Sequence, residues 1–344
     1  MPDNDDVSAH DDVSAHDDVS AHDDVSECVH AAPTRANCHD RPLHPVLKWV
    51  GGKTQIIGDV LAEFPAAMHN YREIFLGGGS VLLAVLARIR AKTIAVAGSI
   101  YAYDINEPLI AMYQNIQRDP AAVCDALHAV VTEFDAVVGD VVVHKPSNIA
   151  DAHTSRESYY YWTRQKYNAL SAREKCEVGG SALFIFLNKT CFRGMFRLGP
   201  KGFNVPYGHY ARPEVFGRTH IMAVSELVQP VRFVCADFVA SLEGVQPGDF
   251  VYLDPPYAPE TSTSFVGYTA GGFTLEQHRC LFSLCDDIAA KNATCLVSNA
   301  AVPMVREHFT ADKYTVRELS CRRAINARAP NARALEVLAK TRSR

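Results

Sequence analysis

The sequence predicts an α/β fold, in which a doubly wound sheet carries an inserted, mainly helical second domain. First, a strand, a glycine turn, a helix and a second strand follow one another between Arg72 and Asp104. Second, strand-like apolar runs alternate with helical patterns again after about residue 230. Third, the segment 111–212 breaks this rhythm, being helical and then rich in aromatic, basic, Gly and Pro residues. Alternating strands and helices are typical of doubly wound sheets.

The first elements follow from local patterns. Apolar residues between Ile56 and Phe64 recur at helical spacing and end before a proline, which predicts a helix. REIFLGGGSVLLAVLARI predicts a strand, a glycine turn and a helix that starts at Ser80. The next strand ends at Asp104, and Pro108 favours the start of the helix after it.

Later strands are predicted from buried and alternating runs. They are VRFVCADF (231–238), DFVYLDPPY (249–257) and ATCLVSNA (293–300), with YTVREL (314–319) and ALEVLA (334–339) as candidate edge strands.

The N-terminus consists of a repeated hexapeptide, DDVSAH, which occurs three times before a truncated DDVS. Such a repeat cannot build an apolar face, so we expect disorder there. The predicted organisation is an acidic tail (1–27), a linker (28–44), a main domain in two parts (45–110 and 213–344) and an inserted domain (111–212).

Charge is distributed unevenly along the 344 residues. Ten of the 39 acidic side chains lie in residues 1–27, which contain no Lys or Arg. Residues 28–344 therefore contain 29 acidic and all 34 basic side chains. Basic residues concentrate in 188–220 and 313–344. These clusters indicate either a polyanionic partner or a solvated charged face, and composition alone does not decide between them.

Composition excludes several classes of protein. No apolar run approaches the ~20 residues of a membrane span, and the N-terminus lacks the pattern of a secretion signal. We therefore expect a cytoplasmic protein without membrane contact. A monomer is also expected. The ten cysteines show neither a Cys-x-x-Cys pair nor zinc-ligand spacing, so reduced thiols and no metal site are expected.

The stretch VLKWVGGKTQ (46–55) resembles a phosphate-binding loop at first sight. That loop needs a glycine five residues before its Gly-Lys-Ser/Thr, and Leu47 occupies the position here. Taken alone, the segment is better explained as a glycine turn that opens a helix.

The strand, glycine turn, helix, strand and acid have a physical use together. Glycines let the backbone approach a nucleotide-like ligand, and an acid at the end of the second strand accepts hydrogen bonds from ribose hydroxyls. Asp104 follows Gly79 by 25 residues, close to the expected spacing. The turn is not a full GxGxxG, so a mononucleoside such as S-adenosylmethionine fits better than a dinucleotide.

The segment VYLDPPY places Asp254, Pro255, Pro256 and Tyr257 at the end of a buried strand, the edge where open α/β sheets bind ligands. The prolines force a stiff departure from the sheet. The Asp254 carboxylate and the Pro255 carbonyl can accept both hydrogens of an exocyclic amine, which aims its lone pair at an electrophilic methyl group. Tyr257 can stack on a base flipped out of a duplex. The alternative is a rigid surface turn.

The motifs KWVGGK (48–53), FLGGGS (75–80), YDIN (103–106), NKTCFRGMFR (188–197), FNVPYG (203–208), DPPY (254–257) and RRAINAR…EVL (322–338) resemble the Dam-type DNA adenine-N6 methyltransferases. The resemblance runs from Leu47 almost to the end, in that family's motif order. It implies a doubly wound S-adenosylmethionine-dependent methyltransferase sheet with an inserted, mainly helical target-recognition domain. It also implies double-stranded DNA as partner and methylation of adenine, typically in GATC. A cognate restriction endonuclease is a further candidate partner.

Site residues are carried over from the family position by position. Its cofactor pocket corresponds to Trp49, Lys53, Phe75, Gly77, Gly79, Asp104, Asp237, Phe238 and Asp254. Its target-base site corresponds to Asp254, Pro255, Pro256 and Tyr257, and in the following segment Tyr268, Phe273 and Gln277 are candidates to close over the base.

DNA contacts are expected from a loop with an intercalating aromatic residue and nearby base readers. The candidates are Lys189, Phe192, Arg193, Met195, Arg197, Pro206, Arg322 and Arg323. Arg197 suits guanine and Pro206 a thymine methyl group. The family commonly has Asn at the position of Arg193, where a longer cation is expected to add a phosphate contact. The alternative is that Phe192 and Met195 are core residues.

Two other functions fit part of the pattern. Methylation of cytosine N4 shares the chemistry, but those enzymes more often have Ser in place of Asp254. A non-catalytic DNA-binding protein is the second alternative, and it predicts damaged cofactor motifs.

Overall fold

The computed structural model describes residues 43–259, 272–322 and 333–342, with only the backbone of Arg322. The predicted tail (1–27) and the linker up to residue 42 lie outside these residues. The helices are α1 (Ile57–Ala62), α2 (Ser80–Arg90), α3 (Glu107–Arg118), α4 (Pro120–Ala136), α5 (Ile149–Ala152), α6 (Arg156–Ala169), α7 (Ala172–Lys175), α8 (Val178–Thr190), α9 (Arg218–Leu227), α10 (Phe238–Ser241), α11 (Leu275–Ala290) and α12 (Pro303–His308).

The strands build one large sheet and two small ones. They are β1 (Ala67–Met68), β2 (Tyr71–Glu73), β3 (Ala95–Val96), β4 (Ile100–Asp104), β5 (Leu198–Gly199), β6 (Gly202–Phe203), β7 (Val231–Cys235), β8 (Phe250–Leu253), β9 (Thr294–Ala300), β10 (Tyr314–Arg322) and β11 (Arg333–Thr341). Short 3-10 turns at Lys53–Ile56 and Phe192–Gly194 precede α1 and follow α8.

The large sheet is mostly parallel. Its seven strands lie in the order β10-β11-β9-β8-β2-β4-β7. The run from β9 to β7 is parallel throughout, whereas β11 pairs antiparallel with both of its neighbours. This arrangement agrees with the predicted α/β fold.

One strand position differs from its expectation. ALEVLA (334–339) is predicted as an edge strand, but β11 lies inside the sheet, between β9 and β10. Strand β10 forms the edge of the sheet, and β11 then runs antiparallel between β10 and β9. Local alternation marks a strand as half-buried and does not reveal this order. Of the two candidate edge strands, YTVREL alone lies at an edge of the sheet, as β10.

The helices between β4 and β7 include the predicted inserted segment. Helix α3 contacts β4 and β7, and α8 contacts α3, α4 and α6. Residue 111, where the insert was expected to begin, lies within α3. One cluster of buried side chains runs from Leu82 in α2 to Phe186 in α8, so the helical segment and one face of the sheet share a core.

Sheet polarity determines where the motifs meet. Strands β2, β4, β7 and β8 run parallel, and their carboxyl ends are Glu73, Asp104, Cys235 and Leu253. The glycine turn, Asp104, Asp237 and the DPPY segment all follow directly after or lie at these ends, so they share one edge of the sheet, as ligand sites of open α/β sheets do. Within the described residues, none of the helices has the length and apolar character that crossing a membrane demands.

Candidate functional site

Lys53 and Asp254 join the GGK loop to the DPPY segment. The Lys53 Nζ atom lies 2.6 Å from the Asp254 Oδ2 atom, with 4% and 18% of the side chains exposed. Nζ also donates to the Gly51 carbonyl at 2.7 Å, and the Lys53 amide donates to the Ser80 hydroxyl at 3.1 Å. The loop resembles a phosphate-binding loop, but its lysine forms an ion pair with a carboxylate.

Asp254 has one paired and one unpaired oxygen. Its Oδ1 atom is buried and has no hydrogen-bond partner among the described residues. Burial raises the pKa of this carboxyl to about 6, although Lys53 opposes the shift, and the charge of Glu336 adds to it. A buried acceptor without a donor costs free energy unless a ligand satisfies it, which makes Oδ1 the atom most available to a bound amine.

Tyr257 is held at its far end. Its hydroxyl donates to the Glu336 Oε2 atom at 2.6 Å, and the Lys53 Nζ atom lies 4.9 Å from the centre of its ring. Burial raises the pKa of Tyr257 well above its usual value, with Asp254 and Glu336 contributing. The phenol therefore stays protonated and donates.

Asn299 fixes the chain that leaves the DPPY segment. Its Oδ1 atom accepts from the backbone amides of Ala258 and Ala300, both at 2.9 Å. The residue is fully buried near the end of β9, and its Nδ2 atom has no partner among the described residues. The side chain thus locks the backbone one residue after Tyr257.

The glycine turn is packed against Trp49. A Cβ atom on Gly77 would lie 2.9 Å from the Trp49 ring, and one on Gly78 would lie 2.8 Å from the Trp49 Cβ atom. Gly77 and Gly79 have φ angles of 49° and 76°, in the left-handed region that favours glycine. Small residues are therefore required both by backbone conformation and by the tryptophan.

Asp104 organises the same turn from the neighbouring strand. Its Oδ2 atom accepts from the Gly77 amide at 3.0 Å and its Oδ1 atom from the Asn106 amide at 2.9 Å. Burial raises the pKa of this carboxyl, and the backbone donors oppose the shift. Ile105, directly beside it, leaves 63% of its surface exposed. An acid and an uncovered apolar side chain thus lie next to each other.

An aromatic cluster lies beside this acid. The ring of Phe75 is stacked with that of Phe238 at 6.2 Å between centres, and Phe273 contacts both rings at 5.9 and 5.5 Å. Asp237 caps α10, since its Oδ1 atom accepts from the amides of Val239 and Ala240. The cluster offers a partly exposed apolar wall, and Asp237 fixes the direction of the helix that presents Phe238.

The turn after α8 presents the proposed intercalating residue. Phe192 is 42% exposed, and its amide donates to the Pro206 carbonyl at 2.9 Å. Arg193 has a φ angle of 56°, and its guanidinium lies 5.2 Å from the Phe192 ring centre. A non-glycine residue in the left-handed region is uncommon and indicates a tightly defined turn.

The neighbouring candidates differ in their surroundings. The Arg197 Nε atom donates to the exposed Asn204 side chain at 2.7 Å, which orients the guanidinium. Met195 packs against the hydrophobic core, whereas Pro206 is exposed. Lys189 is half-buried, and burial lowers its pKa, with the nearby charge of Lys48 as the second cause.

A buried amide links this turn to the GGK loop. Asn188 accepts from the Lys48 amide at 2.8 Å and donates to the carbonyls of Lys48 and Gly194 at 2.8 and 3.1 Å. Trp49 is stacked with Phe196 at 5.9 Å between ring centres. The segment with the DNA-contact candidates therefore touches the loop that reaches Asp254.

Two acids at the site have no role in the sequence reasoning. Glu73, at the end of β2, is buried and accepts from the Tyr71 hydroxyl at 2.6 Å. Burial raises its pKa to about 8, and the charge of Asp254 adds to the shift. Glu336 is the first residue of the EVL motif. Glu73 lies two positions before Phe75 in the sequence, whereas the contact of Glu336 with Tyr257 appears only in the fold.

The remaining candidates are placed as follows. Gln277 forms a capping box with Thr274 at the start of α11. Tyr268 and Arg323 lie outside the described residues, as does the side chain of Arg322 at the end of β10. Among the described residues, no group of three or more His, Cys, Asp or Glu side chains is arranged to hold a metal ion.

A mostly parallel α/β sheet whose carboxyl edge joins a glycine turn, an acidic strand end and a DPPY segment has the arrangement of a methyltransferase. The family model of D12 class N6 adenine-specific DNA methyltransferases matches residues 49–324. The chain belongs to this family.

Individual relatives agree with the family. The chain is 33% identical over 264 residues to the type II methyltransferase M.MjaIII of Methanocaldococcus jannaschii, covering 74% of this chain and 84% of that one. It is 30% identical over 273 residues to the DNA adenine methylase of Haemophilus influenzae, covering 78% and 84%. For the DNA adenine methylase of Escherichia coli K12 the values are 27% over 283 residues, 82% and 88%.

The family decides between the functions that the sequence leaves open. The protein is an adenine-specific DNA methyltransferase. This finding excludes both the cytosine-N4 methyltransferase and the non-catalytic DNA-binding protein. Membership implies a methyl donor and action on DNA.

Proposed function

We propose that the protein transfers a methyl group from S-adenosylmethionine to the N6 amine of an adenine that is flipped out of double-stranded DNA, with GATC as the recognition sequence. The observation that supports this most directly is the contact between Lys53 and Asp254 at 2.6 Å, because it joins the cofactor-side loop to the base-side motif. The target atom and the methyl donor must meet at such a junction.

The described residues fit S-adenosylmethionine. Asp104 keeps its carboxylate at the strand end, where ribose hydroxyls can donate to it, and exposed Ile105 offers apolar surface to an adenine ring. The cofactor residues of the proposal are Trp49, Lys53, Phe75, Gly77, Gly79, Asp104, Asp237, Phe238 and Asp254. When bound, the cofactor supplies an electrophilic methyl group.

The chain's own residues prepare the amine. The unpaired Oδ1 atom of Asp254 and the Pro255 carbonyl accept the two amine hydrogens, which draws the nitrogen lone pair out of the ring plane. Pro256 stiffens the turn, and the Tyr257 ring stacks on the flipped base. An ionised carboxyl group is the stronger acceptor, and Lys53 favours this charged form of Asp254 against the effect of burial.

DNA recognition is proposed for the turn after α8 and the hairpin that follows it. Phe192 fills the space of the flipped base, Arg197 reads guanine, and Pro206 contacts a thymine methyl group. Lys189, Arg193, Met195, Arg322 and Arg323 complete the proposed DNA surface. The inserted target-recognition domain of 111–212 and the catalytic parts 45–110 and 213–344 remain our proposed division. We propose a monomer.

The deciding experiment expresses the protein in cells that lack adenine methylation. Plasmid from these cells is digested with two GATC-cutting enzymes, one blocked by adenine methylation and one requiring it. We expect resistance to the first and sensitivity to the second, and neither with Asp254→Asn. If the plasmid stays sensitive to the first enzyme although the cells contain abundant soluble protein, the GATC assignment is wrong. Labelled methyl transfer to mixed DNA then tells whether only the recognition sequence is wrong.

Cofactor binding is tested separately by calorimetry. Lys53→Ala should weaken S-adenosylmethionine binding, because the loop loses its anchor to Asp254. A nucleoside triphosphate should not compete, since Leu47 replaces the glycine that a phosphate loop needs. Competition by triphosphate at equal concentration would contradict the assignment of this loop.

A further inference from the structure

Glu336 lies at the carboxyl edge of the sheet although its strand runs in the opposite direction. On β11 it pairs with Ala300, the last residue of β9, and with Leu319 of β10. The antiparallel return of β11 thus brings the start of this strand to the edge where the parallel strands end. A side chain placed there reaches the site from the side opposite to the glycine turn.

Its main contact is the hydroxyl of Tyr257. The distance of 2.6 Å between this oxygen and the Glu336 Oε2 atom is typical of a charge-assisted hydrogen bond. The two residues are 79 positions apart in the chain, so the bond joins β11 to the DPPY segment across the fold. It fixes the phenol tip, while the chain after Tyr257 is fixed by Asn299.

The charge of Glu336 acts on titratable groups in two neighbouring parts of the fold. From the β8 region these are Tyr252, Asp254 and Tyr257, and from β10 it is the thiol of Cys321. The Lys53 Nζ atom lies 4.9 Å from the centre of the Tyr257 ring and 2.6 Å from the Asp254 Oδ2 atom. Glu336 therefore stands in the electrostatic environment of the carboxylate that the proposed reaction needs.

We propose that Glu336 is a positioning residue for methyl transfer: it orients the Tyr257 ring for stacking on the target base and sets the charge environment of Asp254. The inference rests on the proposed function of Tyr257 and Asp254. Stacking needs a fixed ring plane, and a ring that is already held loses less conformational freedom when the base arrives. A phenylalanine would stack as well, but it would lack this tether.

The test compares Glu336→Gln and Glu336→Ala with the wild type in single-turnover methyl transfer, with S-adenosylmethionine binding measured alongside. Glu336→Ala should slow transfer about tenfold, the loss of one hydrogen bond to a charged group, and leave cofactor affinity unchanged. Glu336→Gln keeps an acceptor and should recover most of the rate. Glu318→Gln is the matched control, because Glu318 lies on neighbouring β10 and pairs with Arg306 on the surface.

The pH profile separates positioning from a structural role. Without the Glu336 charge, the pKa of Asp254 falls, so the acid limb of the rate should move to lower pH in Glu336→Gln but not in Glu318→Gln. In a Tyr257→Phe background, Glu336→Ala should cost less than in the wild type, since the tether is already gone. An unmoved limb together with fully additive effects would overturn the inference.

Failure of the proposed function has a different signature. If the wild type transfers no methyl group to any DNA, the proposed function itself fails. If the wild type transfers normally and both Glu336 variants match it in rate and pH profile, only the role of Glu336 is wrong. If Glu336→Ala folds poorly, the near-isosteric variant Glu336→Gln decides the test.

Discussion

At the scale of single residues, the site is defined by buried carboxyl groups that burial makes harder to ionise. Burial raises the pKa of both Asp254 and Glu73, but only Asp254 has a lysine in direct contact. The direct contact keeps the value for Asp254 near 6, whereas that for Glu73 reaches about 8. At neutral pH the two acids therefore differ: the first is mainly ionised and accepts hydrogen bonds, and the second is mainly protonated.

The rate of methyl transfer should depend on the ionisation of Asp254. With a pKa of about 6, the carboxylate is lost as pH falls through that value, and the single-turnover rate should then drop about tenfold per pH unit. The rate is measured with saturating DNA and cofactor between about pH 4.5 and 8. Asp254→Asn provides the control, since its low residual rate should show no acid limb. A wild-type rate that stays flat through this range would contradict the assigned role.

Glu73 makes a prediction about stability. Its pKa is raised from 4.5 to about 8, so folding favours the protonated form. This contribution to stability is complete below about pH 4.5 and is lost as pH rises through about 8. Glu73→Gln, which mimics the protonated acid, should therefore gain melting temperature relative to the wild type as pH increases. Calorimetry at several pH values measures the difference, and a constant difference would contradict the assignment.

At the scale of elements, the site depends on two loops that pack on each other. Trp49 of the GGK loop covers the glycine turn between β2 and α2, and Asp104 at the end of β4 holds the Gly77 amide of the same turn. Each loop therefore needs the other for its conformation. The proposed cofactor residues Trp49, Gly77 and Asp104 are distant in sequence, but these two contacts bring them together.

Gly78→Ala tests this packing. The new Cβ atom would lie 2.8 Å from the Trp49 Cβ atom, which is close to the backbone and cannot swing aside. The substitution should displace the GGK loop and weaken S-adenosylmethionine binding by about tenfold or more, measured by calorimetry. Gly58→Ala in α1 is the matched control, because nothing lies within 4 Å of its new methyl group. The control should keep its affinity and gain up to about 1 kcal/mol of stability; equal affinities for both variants would refute the packing argument.

Local sequence predicts many of these elements because their patterns are short-range. The glycine turn, the helix from Ser80 and the strand ending at Asp104 each lie within a few residues of the side chains that specify them. The interior place of β11 is different, since it depends on pairing with β9. No sequence pattern near Glu336 predicts the pairing of β11 with β9. The Glu336 contact with Tyr257 was therefore beyond prediction, whereas Asp254 and Tyr257 were marked by their motif.

The candidate site residues show the same contrast between local sequence patterns and long-range contacts. Lys53 and Asp254 were both predicted from motifs, but their direct contact spans 201 positions of sequence and appears only in the fold. Gln277 forms a capping box with Thr274, and this helix-start pattern, visible in the sequence, competes for the same side chain. A helix-start pattern is thus a reason to discount a polar residue as a ligand contact.

At the scale of the whole molecule, the proposed cofactor and DNA surfaces are linked by the hydrogen bonds of one buried amide. The helical segment shares its core with the sheet, and Asn188 at the end of α8 binds backbone groups of Lys48 and Gly194 at once. The DNA-side turn and the cofactor-side loop are therefore fixed to the same buried amide. Binding at one surface that orders this amide should favour binding at the other.

Asn188→Ala should weaken this coupling. It removes the partners of three backbone groups and should cost about 1–3 kcal/mol of stability. In the wild type we expect S-adenosylmethionine to tighten DNA binding, and in Asn188→Ala the cofactor should have a smaller effect, measured as DNA affinity with and without it. By linkage, DNA must then have an equally reduced effect on cofactor affinity. Asn204→Ala is the control, since Asn204 orients only the Arg197 side chain and should change DNA affinity alone. If Asn188→Ala weakened DNA binding equally with and without cofactor, the amide would be a support for the turn and not a link between the two surfaces.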